Sequence, residues 1–105
     1  MRKSDLVPWR QSERKAADIY GEIVPYSGAV RELGKSDIVG KGSYYGLRGE
    51  NKWTDKGSYS LKLSSLQKIQ REAFQCGSQD WFFRIDFNGI PFILVTESTF
   101  RSWHE

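Results

Sequence analysis

The chain has 105 residues, a net charge of +3, and 38% hydrophobic and 14% aromatic residues, enough for one core and too little for two. Its one cysteine, Cys76, excludes an internal disulfide and, with one histidine, leaves no zinc cluster of Cys and His. No apolar run approaches the roughly 20 residues of a membrane span, and the basic start "MRKSDLVPWR" has no apolar stretch after it, so neither an anchor nor a signal peptide is expected.

In chain order, residues 1–8 read as a loose arm and residues 9–105 as a single domain. From Trp9 to Val24 the apolar positions Trp9, Ala16, Ala17, Tyr20, Ile23 and Val24 recur at helical steps, and "PYSG" breaks the pattern. One further strand is open near residues 29–33. "SDIVG" at 36–40 is a very short strand, and "SYYGLRGENKWT" at 43–54 a longer one, weakened by Gly46 and Gly49. After the loop "TDKGSYS", Ser64-Ser65-Leu66-Gln67 has the form of a capping box that starts a second helix. Its predicted apolar stripe is Leu66, Ile69, Ala73 and Phe74, with Gly77 placed to close it. "WFFRIDF" and "IPFILV" are strands joined by Asn88-Gly89, a strong hairpin signal. The tail "ESTFRSWHE" forms a short last helix with Phe100 and Trp103 on one side. The expected order is α-β-β-β-α-β-β-α, an α/β (α+β) domain with helices packed on a central sheet.

The chemistry concentrates on the second long strand. Alternation puts Leu47, Gly49, Asn51 and Trp53 on one face and Arg48, Glu50, Lys52 and Thr54 on the other. A Glu50–Lys52 pair on one face is, taken alone, an ordinary surface ion pair worth ~0–1 kcal/mol. Two further acids raise its interest. Asp37 opens the short strand "DIV", where a turn residue is the plainer reading, and a neighbouring strand would set it beside Glu50. Glu13 falls within the apolar stripe of the first helix, where a carboxylate is costly unless paired or bound to a metal. Snorkelling from the stripe's edge, or pairing with an arginine, is its alternative; Glu22 lies off that stripe. Oxygen-only ligands suit Mg²⁺ or Mn²⁺. Such an ion polarises a phosphodiester and acidifies a bound water, while a nearby ammonium orients that water or steadies phosphate charge.

Asp37…Glu50-Asn51-Lys52 resembles the D…E-x-K motif of the PD-(D/E)XK nuclease superfamily. The acid in "SERKAADIYGEI", then "YSGA" and "GKSDIVG", is similar to the Holliday junction resolvase branch of archaeal and phage type. The likeness spans residues 10–90, with "SYSLKLSSLQKIQREAFQCG" similar to the helix after the motif. The chain departs from the pattern at Lys35-Ser36, which replaces proline before the aspartate, at polar Asn51 within the motif, and at Arg48-Gly49 before it.

The resemblance implies a small restriction-endonuclease-like core with a mixed sheet, and a Mg²⁺-dependent endonuclease (Mn²⁺ substituting) acting on branched DNA. It implies Asp37 and Glu50 as metal ligands with the carbonyl of Asn51 a further one. Lys52 would position the water, Glu13 would be an outer or second-metal ligand, and Ser27 would hold a phosphate. A prokaryotic or phage-encoded cytoplasmic protein is the expected setting. Ser60, Gln67 and the lysines Lys35, Lys41, Lys56 and Lys62 are candidate contacts to the DNA backbone, which position without reading sequence. A junction presents two strands to cut, which matches a two-fold homodimer, with Trp81, Phe82, Phe100 and Trp103 as candidates for its apolar face. A nuclease for another DNA substrate, an inactive nucleic-acid-binding domain, and a protein-binding module with a surface pair are the competing readings. Asp86 is expected on the outer face of its strand.

Overall fold

The computed structural model describes residues 7–23 and 37–105. Helix α1 runs from Pro8 to Tyr20 with proline in its first turn, where the missing N–H costs nothing. Strands β1 (Gly21–Ile23), β2 (Asp37–Gly40) and β3 (Leu47–Thr54) follow, then α2 (Leu63–Gln75), β4 (Asp80–Phe87), β5 (Ile90–Leu94) and α3 (Glu97–Ser102). The order is the expected α-β-β-β-α-β-β-α, though the first strand lies elsewhere than expected. It occupies residues that the periodicity assigned to the first helix, while the candidate strand at 29–33 and Ser27 and Lys35 lie outside the described residues. The helix stops because Gly21 pairs with Gly40 across the β1–β2 ladder. A Cβ at Gly21 would lie 1.8 Å from the Val39 carbonyl oxygen, so only glycine permits that approach.

The five strands form one sheet in the order β1-β2-β3-β4-β5. Pairing is antiparallel for β1–β2, β2–β3 and β4–β5, and parallel for β3–β4. The parallel pair requires a crossover, and α2 supplies it. Helix α1 covers one face, where Ala16, Ile38 and Phe82 are buried together and Tyr20 packs on Phe82 with ring centres 5.1 Å apart. Helix α2 covers the other face, where Ile69 and Ala73 meet Trp81, Phe83 and Ile85. Strand β4 is therefore enclosed on both faces, and Trp81 through Asp86 are all buried. Trp81 and Phe82 belong to this core rather than to an outer face.

Two local details differ from the sequence pattern. The expected capping box does not form. Helix α2 begins at Leu63 with Lys62 as its N-cap, and no side chain caps it. Its C-terminus does close as expected, by Gly77 N–H to the Phe74 carbonyl at 3.1 Å and Ser78 N–H to Ala73 at 2.8 Å, the paired bonds of a Schellman ending. Phe74 is 83% exposed, so the stripe that meets the sheet is the narrower set Leu66, Ile69 and Ala73. The β4–β5 hairpin turns on Asn88 and Gly89, both at positive φ (49° and 106°), as a tight two-residue turn needs. Helix α3 is capped by Thr96, whose hydroxyl accepts from the Thr99 N–H at 3.1 Å. Among the described residues no helix is long and apolar enough to cross a membrane.

Candidate active site

The register of the first three strands brings the distant motif residues together. Asp37, the first residue of β2, is the cross-strand partner of Glu50 in β3. Residues directly opposed across an antiparallel pair are each other's closest neighbours on the sheet. Asp37 is described by this pairing alone. In the parallel ladder Glu50 stands beside Phe83 and Lys52 beside Ile85, two members of the core beneath α2. The acid and the base therefore share the α2 face, as alternation predicts. The Lys52 ammonium is 3.1 Å from the Glu50 carboxylate. Only 8% of the Glu50 side chain is exposed against 35% for Lys52, so the base reaches solvent and the acid does not.

Glu13 is buried on α1, between Ser12 and the inward-facing Ala16 and Ala17. Burial raises its carboxyl above the ordinary range, the Arg10 guanidinium opposes that shift, and the charge of Glu50 adds to it. Glu13 and Glu50 thus feel each other through space although they come from different elements. Glu22 is placed differently, exposed on β1 with its carboxylate 3.9 Å from Lys41. The carboxylates of Glu13 and Glu50 are oxygen donors, the type that suits a hard divalent cation. Among the described residues no group of three or more His, Cys, Asp or Glu side chains gathers as a metal centre.

Lys56, Ser60 and Lys62 are exposed on the segment that leads from β3 into α2, and Gln67 is exposed on α2 itself. Lys41 follows the far end of β2 from Asp37 and is engaged by Glu22.

Behind the E-x-K face lies a polar cluster that the sequence did not disclose. Asn51 points toward α1, and its amide nitrogen donates to the Ser12 hydroxyl at 3.0 Å. Arg84 donates to the Asn51 side-chain oxygen at 2.8 Å and to the Ser12 hydroxyl at 3.3 Å. Ser12 in turn donates to Asp86 at 2.6 Å, which also accepts the Gly89 backbone N–H at 2.6 Å. Asp86 is 4% exposed, so it lies inside the sheet–α1 interface and not on an outer face. The only sign in the sequence was a polar residue at 51 on the same strand face as Leu47. Gly49 on that face has its own cause: a Cβ there would stand 2.0 Å from the Phe82 ring.

The chain matches no protein-family model, no curated protein and no solved structure.

Proposed function

We propose that this protein is a Mg²⁺-dependent, structure-specific DNA endonuclease of PD-(D/E)XK type that hydrolyses phosphodiester bonds in Holliday junctions or other branched DNA. The observation that carries this reading is the pairing of Asp37 with Glu50 across β2 and β3, with the Lys52 ammonium 3.1 Å from the Glu50 carboxylate. Asp37, on a separate strand, is there the cross-strand neighbour of the E-x-K motif. Asp37 and Glu50 would hold the cation, with Glu13 as outer ligand and the Asn51 carbonyl as a further donor. The cation would polarise the scissile phosphate and lower the pKa of the attacking water. Lys52, partly exposed, would orient that water and offset charge building on the phosphate oxygens. Burial and the charge of Glu50 both raise the Glu13 carboxyl, and a bound cation would offset that shift.

DNA would lie across the exposed Lys56, Ser60 and Lys62 and along Gln67. A second copy of the chain is the proposed partner. Ile90, Phe92 and Ile93 on the edge strand β5 and Phe100 and Trp103 at the C-terminus are all more than 40% exposed, an apolar end that a two-fold mate would cover. An apolar hollow of about 220 Å³ lined by Tyr20, Tyr44, Leu47, Phe82, Ile93 and Trp103 opens beside it.

The test is incubation of the purified protein with a synthetic four-way junction and a matched duplex, in Mg²⁺ and in EDTA. Paired symmetric cuts confined to the junction are expected. Asp37→Asn and Glu50→Gln should each abolish cutting while DNA affinity is kept or rises, because repulsion of phosphate falls. Cutting of both substrates would assign a nuclease with a broader DNA target, and a gel shift without cuts would assign an inactive binding domain. Normal cutting by Asp37→Asn would refute the site.

A further inference from the structure

The geometry points to Ser12, Asn51 and Arg84 as a positioning device that locks Glu13 against the E-x-K strand, an inference that rests on the nuclease reading above. Ser12 is the chain neighbour of Glu13, and Asn51 is the chain neighbour of both Glu50 and Lys52. The 3.0 Å bond from Asn51 to Ser12 therefore joins the residues flanking the two acids. It lies between α1 and the sheet, on the face opposite the Glu50 and Lys52 side chains.

The pattern of donors leaves one arrangement of this cluster. Arg84 can only donate, so the group it meets at 2.8 Å is the Asn51 carbonyl oxygen, and the amide nitrogen must turn to Ser12. The Ser12 hydroxyl then has its proton free for Asp86, its shortest contact at 2.6 Å. Arg84 also donates to the Ser12 backbone carbonyl at 3.4 Å, which grips the helix main chain itself. The guanidinium lies 3.8 Å from the Asp86 carboxylate, and Ser12, Arg84 and Asp86 are each less than 5% exposed.

A buried, charged cluster contributes little net stability compared with apolar packing of the same shape. What it supplies is geometry. Leucine or valine at 12 and 51 would pack α1 onto the sheet but tolerate sliding. Directional bonds at 2.6–3.3 Å do not. The bond from Asn51 to Ser12 fixes the residue beside Glu13 against the residue between Glu50 and Lys52. The polar residue within the motif is thus the anchor between the helix that carries Glu13 and the strand that carries Glu50.

The experiment measures Mn²⁺ affinity by titration calorimetry, alongside Mg²⁺-dependent cleavage and thermal unfolding, for wild type, Ser12→Ala, Ser12→Thr and Asn51→Leu. Thr96→Ala, which removes the N-cap of α3, serves as a control for simple destabilisation. Loss of an outer partner that orients a metal ligand typically costs about 10–100-fold in affinity or activity. Ser12→Ala and Asn51→Leu should weaken Mn²⁺ binding by about tenfold or more while the α3 control stays at the wild-type value. Ser12→Thr, which keeps the hydroxyl, should recover most of the loss. If wild type binds Mn²⁺ and Ser12→Ala binds it equally well, the positioning role is refuted and the nuclease reading stands. If wild type binds no Mn²⁺, the nuclease reading and this inference fall together. Ser12→Ala deletes one oxygen atom, so a folded variant is available even where Asn51→Leu disrupts the core.

Discussion

Burial separates Glu13 from the other acids of its neighbourhood. Asp18 and Glu22 are exposed, whereas Glu13 is 7% exposed and faces the sheet. Its position in the apolar stripe was legible because helical spacing alone places it four residues from Ala17. The cost of that position predicts a pH dependence of stability. Burial, with a further contribution from Glu50, raises the folded pKa above the unfolded one, so between the two values the folded state holds more protons. Stability then falls as pH rises through that window, and below it the penalty is absent. Glu13→Gln should remove this slope and raise the unfolding midpoint at neutral pH, as read by thermal melts at stepped pH without divalent ions. Superimposable pH profiles for wild type and Glu13→Gln would mean that the carboxyl is not under strain. Asp86 shows the opposite case. Its alternation with Ile85 and Phe87 suggested a wet face, but its partner Ser12 lies 74 residues away in the chain, beyond any local pattern.

Among the elements, β3 and β4 determine the site, and α2 holds them in place. Their parallel register sets Glu50 and Lys52 beside Phe83 and Ile85, and Ile69, 1% exposed, is the point at which α2 fastens to that face. Ile69→Ala should cost about 2–5 kcal/mol in chemical denaturation, as buried large-to-small changes do. Cleavage should follow the folded fraction, with the Mg²⁺ requirement unchanged. A loss below about 1 kcal/mol would mean that α2 is not the clamp on this face. The ends of elements were read less well than their interiors. The first helix gives way to β1 at Gly21 because a ladder partner at Gly40 competes for those residues. The capping box at Ser64 is pre-empted by a start two residues earlier, with Lys62 as N-cap.

For the whole molecule, the asymmetry of surface matters most. The E-x-K strand β3 is the central strand of the sheet, whereas β5 is an edge whose residues from Ile90 to Ile93 are all exposed, together with Phe100 and Trp103. Such an edge invites pairing with another chain. Sedimentation velocity should find a dimer at micromolar concentration, and Phe92→Glu or Trp103→Glu should convert it to a folded monomer. A wild-type monomer at every concentration would exclude the homodimer. Salt gives a second reading on the same molecule: junction affinity should fall steeply with ionic strength, as lysine–phosphate contacts release counterions.

Periodicity, turn chemistry and the E-x-K spacing were enough to establish the class of fold, the order of its elements from β2 onward, the Asn88-Gly89 hairpin and the face shared by Glu50 and Lys52. Those features depend on neighbours in the chain, where the repeat of 3.6 or 2 residues makes side-chain direction computable. Strand order, the register of Asp37 with Glu50, the enclosure of β4 and the Ser12–Asn51–Arg84–Asp86 cluster arise only on folding. They are pairings between segments that share no local signal, selected because together they bury both faces of one sheet and leave each buried polar group in that cluster with a partner.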